Sequence, residues 1–298
     1  MAGKLEGVFI PAVTPFIREE PAYDKLGSNI EKWNKTKVTG YMVLGSNGEF
    51  RSLTDHESLK VVETAVKYKS PDKTLIVGAG KESTRLTLDF IKQLRGMAVD
   101  YVSFLIPNYF GKKMGDAEMA RYFIDIADCS PLPVLIYCAP SFSNGVTMSA
   151  KTVKALSQHP RIKGIKDTSA DMMTDYCLSV KDQADFAILA GSLNNFLVGL
   201  FQGAKGGVLS MANYLPEHCC ALYDLFKAGE YGKAWEKHLQ LVRINRQTAG
   251  RYGVPGVKAC MDIMGYFGGE PRLPLLPLTE KSRNEIEAVI SREGNIER

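Results

Sequence analysis

The pattern of hydrophobic and polar positions divides most of the chain into short apolar segments and longer amphipathic ones. Short apolar segments bounded by turn residues are typical of buried strands, and apolar positions repeated every three to four residues are typical of helices. The predicted strands cover residues 7–13, 40–44, 74–78, 101–106, 134–138, 162–166, 186–190 and 207–210. The predicted helices cover residues 23–36, 55–69, 83–97, 116–127, 149–158, 171–181, 195–202 and 217–227.

The alternation of strand and helix determines the predicted fold class. Strands that alternate with helices form parallel sheets with crossover helices. Because eight such units fit within about 230 residues, we predict an α/β protein with a closed (β/α)8 TIM barrel. An open doubly wound sheet is the alternative. It would usually carry a glycine-rich phosphate-binding turn after its first strand, whereas here that strand ends in Ala12-Val13-Thr14-Pro15-Phe16.

The strand pattern ends near Gly229. Three further helices are predicted over residues 231–248, 257–265 and 280–292, with proline-containing segments between them. We therefore divide the chain into a catalytic barrel over residues 1–228 and a C-terminal helical extension over residues 229–298.

Composition excludes several classes of protein. The net charge is only +4, and no Lys/Arg run of the kind that binds nucleic acid occurs. No apolar run approaches the roughly 18 residues of a membrane span, and the first residues, Met1-Ala2-Gly3-Lys4-Leu5-Glu6, show no targeting segment. The six cysteines form no CxxC pair, which favours free thiols in a reducing compartment. We expect a cytoplasmic protein without nucleic-acid or membrane partners.

Lys166 is the most informative single residue. It shares one face of its predicted strand with Ile162 and Gly164, because strand residues alternate between faces. A buried lysine has a lowered pKa, so its neutral amine can attack carbonyl groups and form a Schiff base. The alternative is a lysine at a strand end whose amine reaches solvent.

In a (β/α)8 barrel the functional groups lie at the carboxyl ends of the strands. Tyr137 ends the strand before that of Lys166, on the corresponding face. Neighbouring strands are about 4.8 Å apart, so the phenol of Tyr137 can approach the amine and carry protons. The alternative is a core tyrosine bonded to a backbone carbonyl.

Two strand ends offer sites for an anion. Ser46 and Asn47 lie in a glycine-flanked turn whose successive N–H groups suit a carboxylate, although Asn-Gly is also common in plain turns. Gly191 and Ser192 precede a predicted helix, whose N-terminus gives a second, weaker anion site.

Metal chemistry is not expected. A metal-dependent aldolase in a barrel needs His, Asp or Glu at several strand ends. The histidines instead fall in predicted helices or at helix ends; they are His56, His159, His218 and His238. We predict neither a metal nor an organic cofactor.

Together these motifs resemble the family of dihydrodipicolinate synthase and N-acetylneuraminate lyase, which are pyruvate-dependent class I aldolases. The resemblance covers nearly the whole chain. The family's Schiff-base lysine, in a Gly-Ile-Lys-Asp-Thr context, matches Lys166, and its proton-shuttling tyrosine before a residue pair and Pro matches Tyr137. Its pyruvate-carboxylate loop matches Gly45-Ser46-Asn47-Gly48-Glu49, and the tyrosine lent by a neighbouring subunit matches Tyr109.

The resemblance implies a hydroxyl relay of Ser46, Tyr137 and Tyr109, and a homo-oligomer, commonly a dimer of dimers, that lends Tyr109 between subunits. One departure concerns the second substrate. The synthase places an arginine after its Tyr-X-X-Pro segment, whereas residues 141–145 here are Ser-Phe-Ser-Asn-Gly. The turn at Ser46 and the segment Val254-Pro255-Gly256-Val257-Lys258 look most like 4-hydroxy-2-oxoglutarate aldolases. We therefore expect a smaller or less acidic aldehyde than that of the synthase.

The sequence thus predicts a metal-independent lyase or aldolase that uses pyruvate as donor or product. It would cleave or form a C–C bond of a 2-oxo acid resembling 4-hydroxy-2-oxoglutarate. The alternatives are 4-hydroxy-tetrahydrodipicolinate synthase, an aldolase or dehydratase of 2-keto-3-deoxy sugar acids, and a 2-oxo acid sensor without turnover. Intact Lys166 and Tyr137 argue against the sensor.

Overall fold

The computed structural model of this chain describes residues 3–169 and 171–293. Met1 and Ala2, the start of the segment in which no targeting signal is predicted, lie outside these ranges. The strands are β1 (Gly7–Pro11), β2 (Phe16–Ile17), β3 (Glu20–Pro21), β4 (Gly40–Val43), β5 (Thr74–Gly78), β6 (Tyr101–Leu105), β7 (Val134–Cys138), β8 (Ile162–Asp167), β9 (Ala187–Ala190) and β10 (Gly206–Val208). The helices are α1 (Tyr23–Asn34), α2 (Asp55–Tyr68), α3 (Thr84–Gln93), α4 (Asp116–Cys129), α5 (Ala150–Ser157), α6 (Met173–Ser179), α7 (Leu193–Gln202), α8 (Pro216–Lys227), α9 (Tyr231–Gln247), α10 (Ala249–Ile263) and α11 (Glu280–Arg292).

Eight strands close into a barrel in the order β1-β10-β9-β8-β7-β6-β5-β4. The registered pairs between neighbouring strands are parallel, as at β6–β7, β7–β8 and β8–β9. Nearly every residue of these strands is buried, as expected for a parallel sheet covered on both faces. The predicted TIM-barrel fold class is therefore confirmed, and the open sheet is wrong.

Helix ends follow local chemistry. At the start of α2, the Thr54 hydroxyl accepts from the Glu57 N–H at 3.2 Å and the Glu57 carboxylate accepts from the Thr54 N–H at 2.7 Å. This reciprocal capping box fixes where the helix begins. Helix α7 is capped at its C-terminus by Gly203, whose φ of 110° is accessible to glycine without strain.

Two regions differ from the prediction. The short antiparallel hairpin β2–β3 was not predicted, and its turn places Arg18 and Glu19 at positive φ. Helix α10 begins at Ala249 rather than at residue 257, with a kink at Gly253, where φ is 62°. Pro255 follows the kink, within the first turn of the second half, where a missing N–H removes no helical hydrogen bond.

The chain forms two compact units by backbone contacts. The first comprises the residues before Val8 together with Thr74–Val208, and it contains β5–β10 and α3–α7. The second comprises Val8–Lys73 and the chain from Leu209 onward, and it contains most of β1 with β4, the hairpin, α1, α2 and α8–α11. The division into residues 1–228 and 229–298 stays a prediction. Over the described part of the chain, no helix has the length and apolar character needed to cross a membrane.

Candidate active site

Lys166 and Tyr137 lie side by side in the first unit. They are partners in the parallel register of β7 and β8. The Lys166 Nζ atom lies 4.1 Å from the centroid of the Tyr137 ring, and each residue is only 4% exposed. The amine therefore rests on the aromatic face in a largely desolvated position, which is the environment that the strand pattern predicts.

The residues after Tyr137 and Lys166 show which side of the sheet the Tyr137 and Lys166 side chains face. Cys138 and Asp167 are the next registered partners, and the Cys138 Sγ atom lies 3.5 Å from the hydroxyl of Tyr176 in α6. The following residues thus face the helix layer. Because side chains alternate along a strand, Tyr137 and Lys166 face the inside of the barrel.

Gly164 allows β8 to lie close to its neighbours. It is the registered partner of Leu135 on β7 and of Ala187 on β9. A Cβ atom at Gly164 would overlap the carbonyl oxygen of Ala187 and lie 3.1 Å from Leu135 Cδ1. The missing side chain two residues before Lys166 is therefore a packing requirement of this part of the sheet.

The carboxylate of Asp167 organises the turn after Lys166. It is buried and accepts from the Ser169 N–H at 3.0 Å and the Ser169 hydroxyl at 2.8 Å. Burial raises the pKa of Asp167, and the Ser169 bonds favour its charged form. Sequence reasoning did not assign Asp167 a role, although the buried acid next to Lys166 is visible in the motif.

Gly191 and Ser192 follow β9, next to the end of β8. The Gly191 N–H donates to the Asp167 carbonyl oxygen at 2.6 Å. The Ser192 hydroxyl accepts from the Asn194 N–H at 3.3 Å and caps α7. A Cβ at Gly191 would clash with the Thr168 side chain. Gly191 and Ser192 therefore hold the turn after β9 and cap α7. Their role as an anion site stays a prediction.

Tyr109 lies in the loop after β6 and is 77% exposed. Its N–H and that of Asn108 both donate to Glu82 Oε2 at 3.0 Å, so the loop has a defined anchor. Its ring meets Phe110 edge-on, with 4.9 Å between centroids. The structure does not bury this tyrosine within the chain, and its relay role stays a prediction.

Ser46 and Asn47 lie in the second unit, in the turn that follows β4. The Gly48 N–H donates to the Gly45 carbonyl at 3.0 Å and the Glu49 N–H donates to the Ser46 carbonyl at 3.1 Å. One of the amides proposed as an anion nest, that of Gly48, is therefore used within the turn.

The same turn is held from outside by two side-chain contacts. The Asn47 side-chain amide donates to the Ser210 hydroxyl at 2.8 Å, and the Thr14 hydroxyl donates to the Gly48 carbonyl at 2.8 Å. A Cβ at Gly48 would lie 3.2 Å from the Ala12 carbonyl oxygen, so the backbone packs tightly here. Sequence reasoning missed Ser210 and Thr14, because their contact with the turn depends on how distant segments pack.

The histidines lie away from the strand ends. His159 contacts Asp128 at 3.1 Å, His218 contacts Lys237 at 2.7 Å, and His238 is buried in α9. Within residues 3–169 and 171–293, no three His, Cys, Asp or Glu side chains are grouped so that they could hold a metal ion.

Comparisons with known proteins give one consistent family. A sequence profile described as "Dihydrodipicolinate synthetase family" matches residues 4–293. A 4-hydroxy-tetrahydrodipicolinate synthase of Macrococcus caseolyticus is 28% identical over 96% of this chain and 96% of its own length. A probable mitochondrial 4-hydroxy-2-oxoglutarate aldolase of Emericella nidulans is 29% identical over 98% of this chain and 96% of its own. The solved N-acetylneuraminate lyase of Proteus mirabilis aligns with a TM-score of 0.89 and 25% identity, covering 98% of this chain and 99% of that one.

Proposed function

The chain belongs to the dihydrodipicolinate synthetase family, and we propose that it is a Schiff-base-forming lyase that uses pyruvate as donor or product. Similar proteins are named as a synthase and as an aldolase. The prediction of an enzyme of this family is confirmed. The finer chemistry proposed here is a metal-independent C–C bond cleavage or formation in a 2-oxo acid, with Lys166 as nucleophile.

The observation that carries this proposal is the placement of the Lys166 amine, 4.1 Å from the Tyr137 ring centroid and 4% exposed. The amine lies near the carboxyl end of a barrel strand, where barrel enzymes bind substrate, and a lysine amine there can act as a nucleophile toward a carbonyl carbon. Tyr137, on the adjacent strand, carries a phenol hydroxyl that can exchange protons with the adduct.

The proposed reaction begins when the lone pair of Lys166 Nζ attacks the keto carbon. The carbonyl oxygen takes a proton and the resulting carbinolamine loses water, which leaves a cationic imine. In the cleavage direction, the hydroxyl on the fourth carbon gives up its proton and becomes the carbonyl of the leaving aldehyde. The C–C bond between the third and fourth carbons breaks, and its electrons flow into the imine to give an enamine. Protonation of the enamine and hydrolysis then release pyruvate and restore the amine. Tyr137 carries these protons, in relay with Ser46 and Tyr109 by family resemblance.

The same resemblance assigns the substrate carboxylate to Ser46 and Asn47. It also implies an oligomer, a dimer of dimers, in which Tyr109 is lent between subunits. The exposure of Tyr109 supports this assignment. A cytoplasmic location is likewise retained as a proposal.

For the second substrate we propose a small aldehyde, with glyoxylate released from 4-hydroxy-2-oxoglutarate as the first choice. The aldolase of Emericella nidulans supports it, as does the lack of arginine in residues 141–145. Phe142, in that segment, is exposed, and its carbonyl accepts from the Asn108 side chain at 2.9 Å. The competing candidate is 4-hydroxy-tetrahydrodipicolinate synthase, which the Macrococcus caseolyticus relative supports at similar identity.

The test is intact mass spectrometry after borohydride reduction in the presence of pyruvate. We expect one reduced pyruvyl adduct on the wild type and none on Lys166→Ala. The matched control is Lys163→Ala, because Lys163 lies on the same strand but is half-buried at its rim, 4.0 Å from Asp185. This control should still form the adduct. A folded wild type without an adduct would overturn the proposal and leave a different keto acid or the sensor role.

Turnover measurements then distinguish the aldolase, the synthase and the dehydratase. Cleavage of 4-hydroxy-2-oxoglutarate that exceeds condensation of pyruvate with aspartate semialdehyde by at least about tenfold in kcat/KM supports the aldolase. The opposite ratio assigns the synthase. Water loss from a 2-keto-3-deoxy sugar acid without C–C cleavage assigns the dehydratase, which shares the same enamine.

A further inference from the structure

A second buried lysine lies behind the turn that follows β4. Lys258, in α10, is 1% exposed. Its Nζ atom lies 2.6 Å from the Glu49 carboxylate and donates to the carbonyl oxygens of Thr14 at 2.9 Å and Glu270 at 2.7 Å. The ring of Phe16 covers it, with 4.7 Å from Nζ to the centroid. The ammonium is thus surrounded by three oxygens and an aromatic face.

Glu49 connects this lysine directly to the turn. It is the last residue of the segment Gly45-Ser46-Asn47-Gly48-Glu49, and its N–H donates to the Ser46 carbonyl at 3.1 Å. Its backbone is left-handed, with φ of 52°. A non-glycine residue keeps that conformation only when surrounding contacts hold it. One such contact is the Arg272 N–H, which donates to Glu49 Oε2 at 2.8 Å.

Thr14 gives Lys258 a second connection to the turn. The carbonyl of Thr14 accepts from Lys258, and its hydroxyl donates to the Gly48 carbonyl at 2.8 Å. Lys258 is therefore linked to the Gly48 carbonyl through Thr14 and to the Glu49 side chain directly. Ser46 and Asn47 immediately precede Gly48 and Glu49 in the same turn.

On the basis of the function proposed above, we propose that Lys258 and Glu49 are a positioning pair that orients Ser46 and Asn47 toward the substrate carboxylate. Neither residue of the pair reacts. Replacing a buried ion pair by apolar residues is often neutral for folding, so stability alone gives no reason for charges here. A defined orientation of the turn does give a reason, because carboxylate recognition depends on correctly placed donors.

The test compares trapping of pyruvate with trapping of methyl pyruvate, which has the keto group but no carboxylate. The readout is the concentration of each that half-saturates borohydride trapping. In Lys258→Met the value for pyruvate should rise at least about tenfold, the amount that follows from losing one good carboxylate contact. The value for methyl pyruvate should change less than about threefold, so the preference for pyruvate falls. Trapping at saturating pyruvate should still give one adduct.

The matched control is Lys73→Met. Lys73 is also buried in the second unit and donates to two backbone carbonyls, those of Thr36 and Val38, at 2.9 Å each. Its loss should lower the melting temperature but leave the preference for pyruvate unchanged. If Lys258→Met does not fold, Glu49→Gln replaces it, since this isostere removes the charge while keeping the shape.

Three results would overturn the positioning role: an unchanged preference in Lys258→Met, an unchanged preference in Glu49→Gln, or an equal loss of preference in Lys73→Met. Failure of the underlying function is separate, because it appears as the absence of any adduct on the wild type.

Discussion

Lys166 on β8 and Lys258 on α10 are both almost completely buried, at 4% and 1% exposure, yet their surroundings differ. The amine of Lys258 is held by a carboxylate 2.6 Å away and by two carbonyl oxygens. The amine of Lys166 lies against the face of Tyr137, 4.1 Å from the ring centroid. Oxygens stabilise the ammonium form and occupy its protons, so the amine of Lys258 is committed to these contacts.

The difference teaches that burial alone does not identify a reactive lysine. Burial lowers the pKa of Lys258, while the Glu49 carboxylate opposes that change. An amine bound in this way has no open path to a carbonyl carbon, whereas an amine over a ring at the end of a barrel strand faces the space where barrel enzymes bind substrate. We therefore assign Lys166 to chemistry and Lys258 to positioning, and variants at these two lysines can break that assignment.

The largest effect is expected for Lys166→Met. Turnover should fall by at least about 10⁴-fold because the nucleophile is gone. The free energy of unfolding should change by less than about 1 kcal/mol, since methionine fits a similar volume and places no charge in the barrel. Steady-state kinetics and urea unfolding measure the two quantities. Substantial residual turnover in Lys166→Met, with Lys163→Met as the half-buried control on the same strand, would contradict the role of Lys166.

Lys258→Met should instead lower the free energy of unfolding strongly. Removing one partner leaves the Glu49 carboxylate buried and unpaired, which costs about 3–5 kcal/mol in unfolding free energy. The double variant Glu49→Gln/Lys258→Met should recover stability to within roughly 2 kcal/mol of the wild type, because no charge is left unpaired. Urea unfolding of the two single variants and the double variant checks this. A double variant that is no more stable than Lys258→Met would mean that the pair is not coupled.

Tyr137→Phe keeps the ring under the Lys166 amine and removes only the hydroxyl. We expect kcat to fall by about 10²–10³-fold, the usual contribution of a proton-transfer group. The adduct should still form at saturating pyruvate, more slowly, and stability should change little. Borohydride added at timed intervals after pyruvate, followed by mass spectrometry of the protein, measures the rate of adduct formation. An unchanged rate would move the proton transfer to another group and leave Tyr137 as a platform for the amine.

The smallest effect is expected at the half-buried ion pair between Glu57 and Arg272. The Arg272 guanidinium donates to both oxygens of Glu57, at 2.9 Å and 2.6 Å, and lowers the pKa of Glu57 to about 2. A carboxylate with a lowered folded pKa adds stability above its unfolded pKa, near 4.3, and loses it as the pH falls toward the folded value. Glu57→Gln should thus be less stable by on the order of 2 kcal/mol at pH 7. This difference should shrink progressively between about pH 4.3 and pH 2, as urea unfolding at both ends of that range can test.

The barrel could be predicted because its information is local. Strand and helix patterns repeat along the chain, and the register of neighbouring strands then places Tyr137 beside Lys166. The β2–β3 hairpin could not, because its turn uses Arg18 and Glu19 at positive φ, where glycine is the usual marker.

The second buried lysine could not be predicted for a different reason. The sequence places Lys258 in a helix, and nothing local to that helix identifies its partner. Thr14, whose carbonyl it binds, lies 244 residues earlier. Contacts at such separations are set by packing of the whole unit rather than by any segment. The proposed choice of a small aldehyde likewise drew, at the level of sequence, on the arginine that residues 141–145 lack.

The long separation between Thr14 and Lys258 has a consequence for how the protein is made. A ribosome releases the chain from its N-terminus, and domains generally fold as they emerge. The last barrel strand ends at Val208, so every strand leaves the ribosome before Lys258 does. A nascent chain can therefore form its strands and still lack the cation that Glu49 requires. The turn bearing Ser46 and Asn47 therefore acquires the contact with Lys258 only after all the barrel strands have been made.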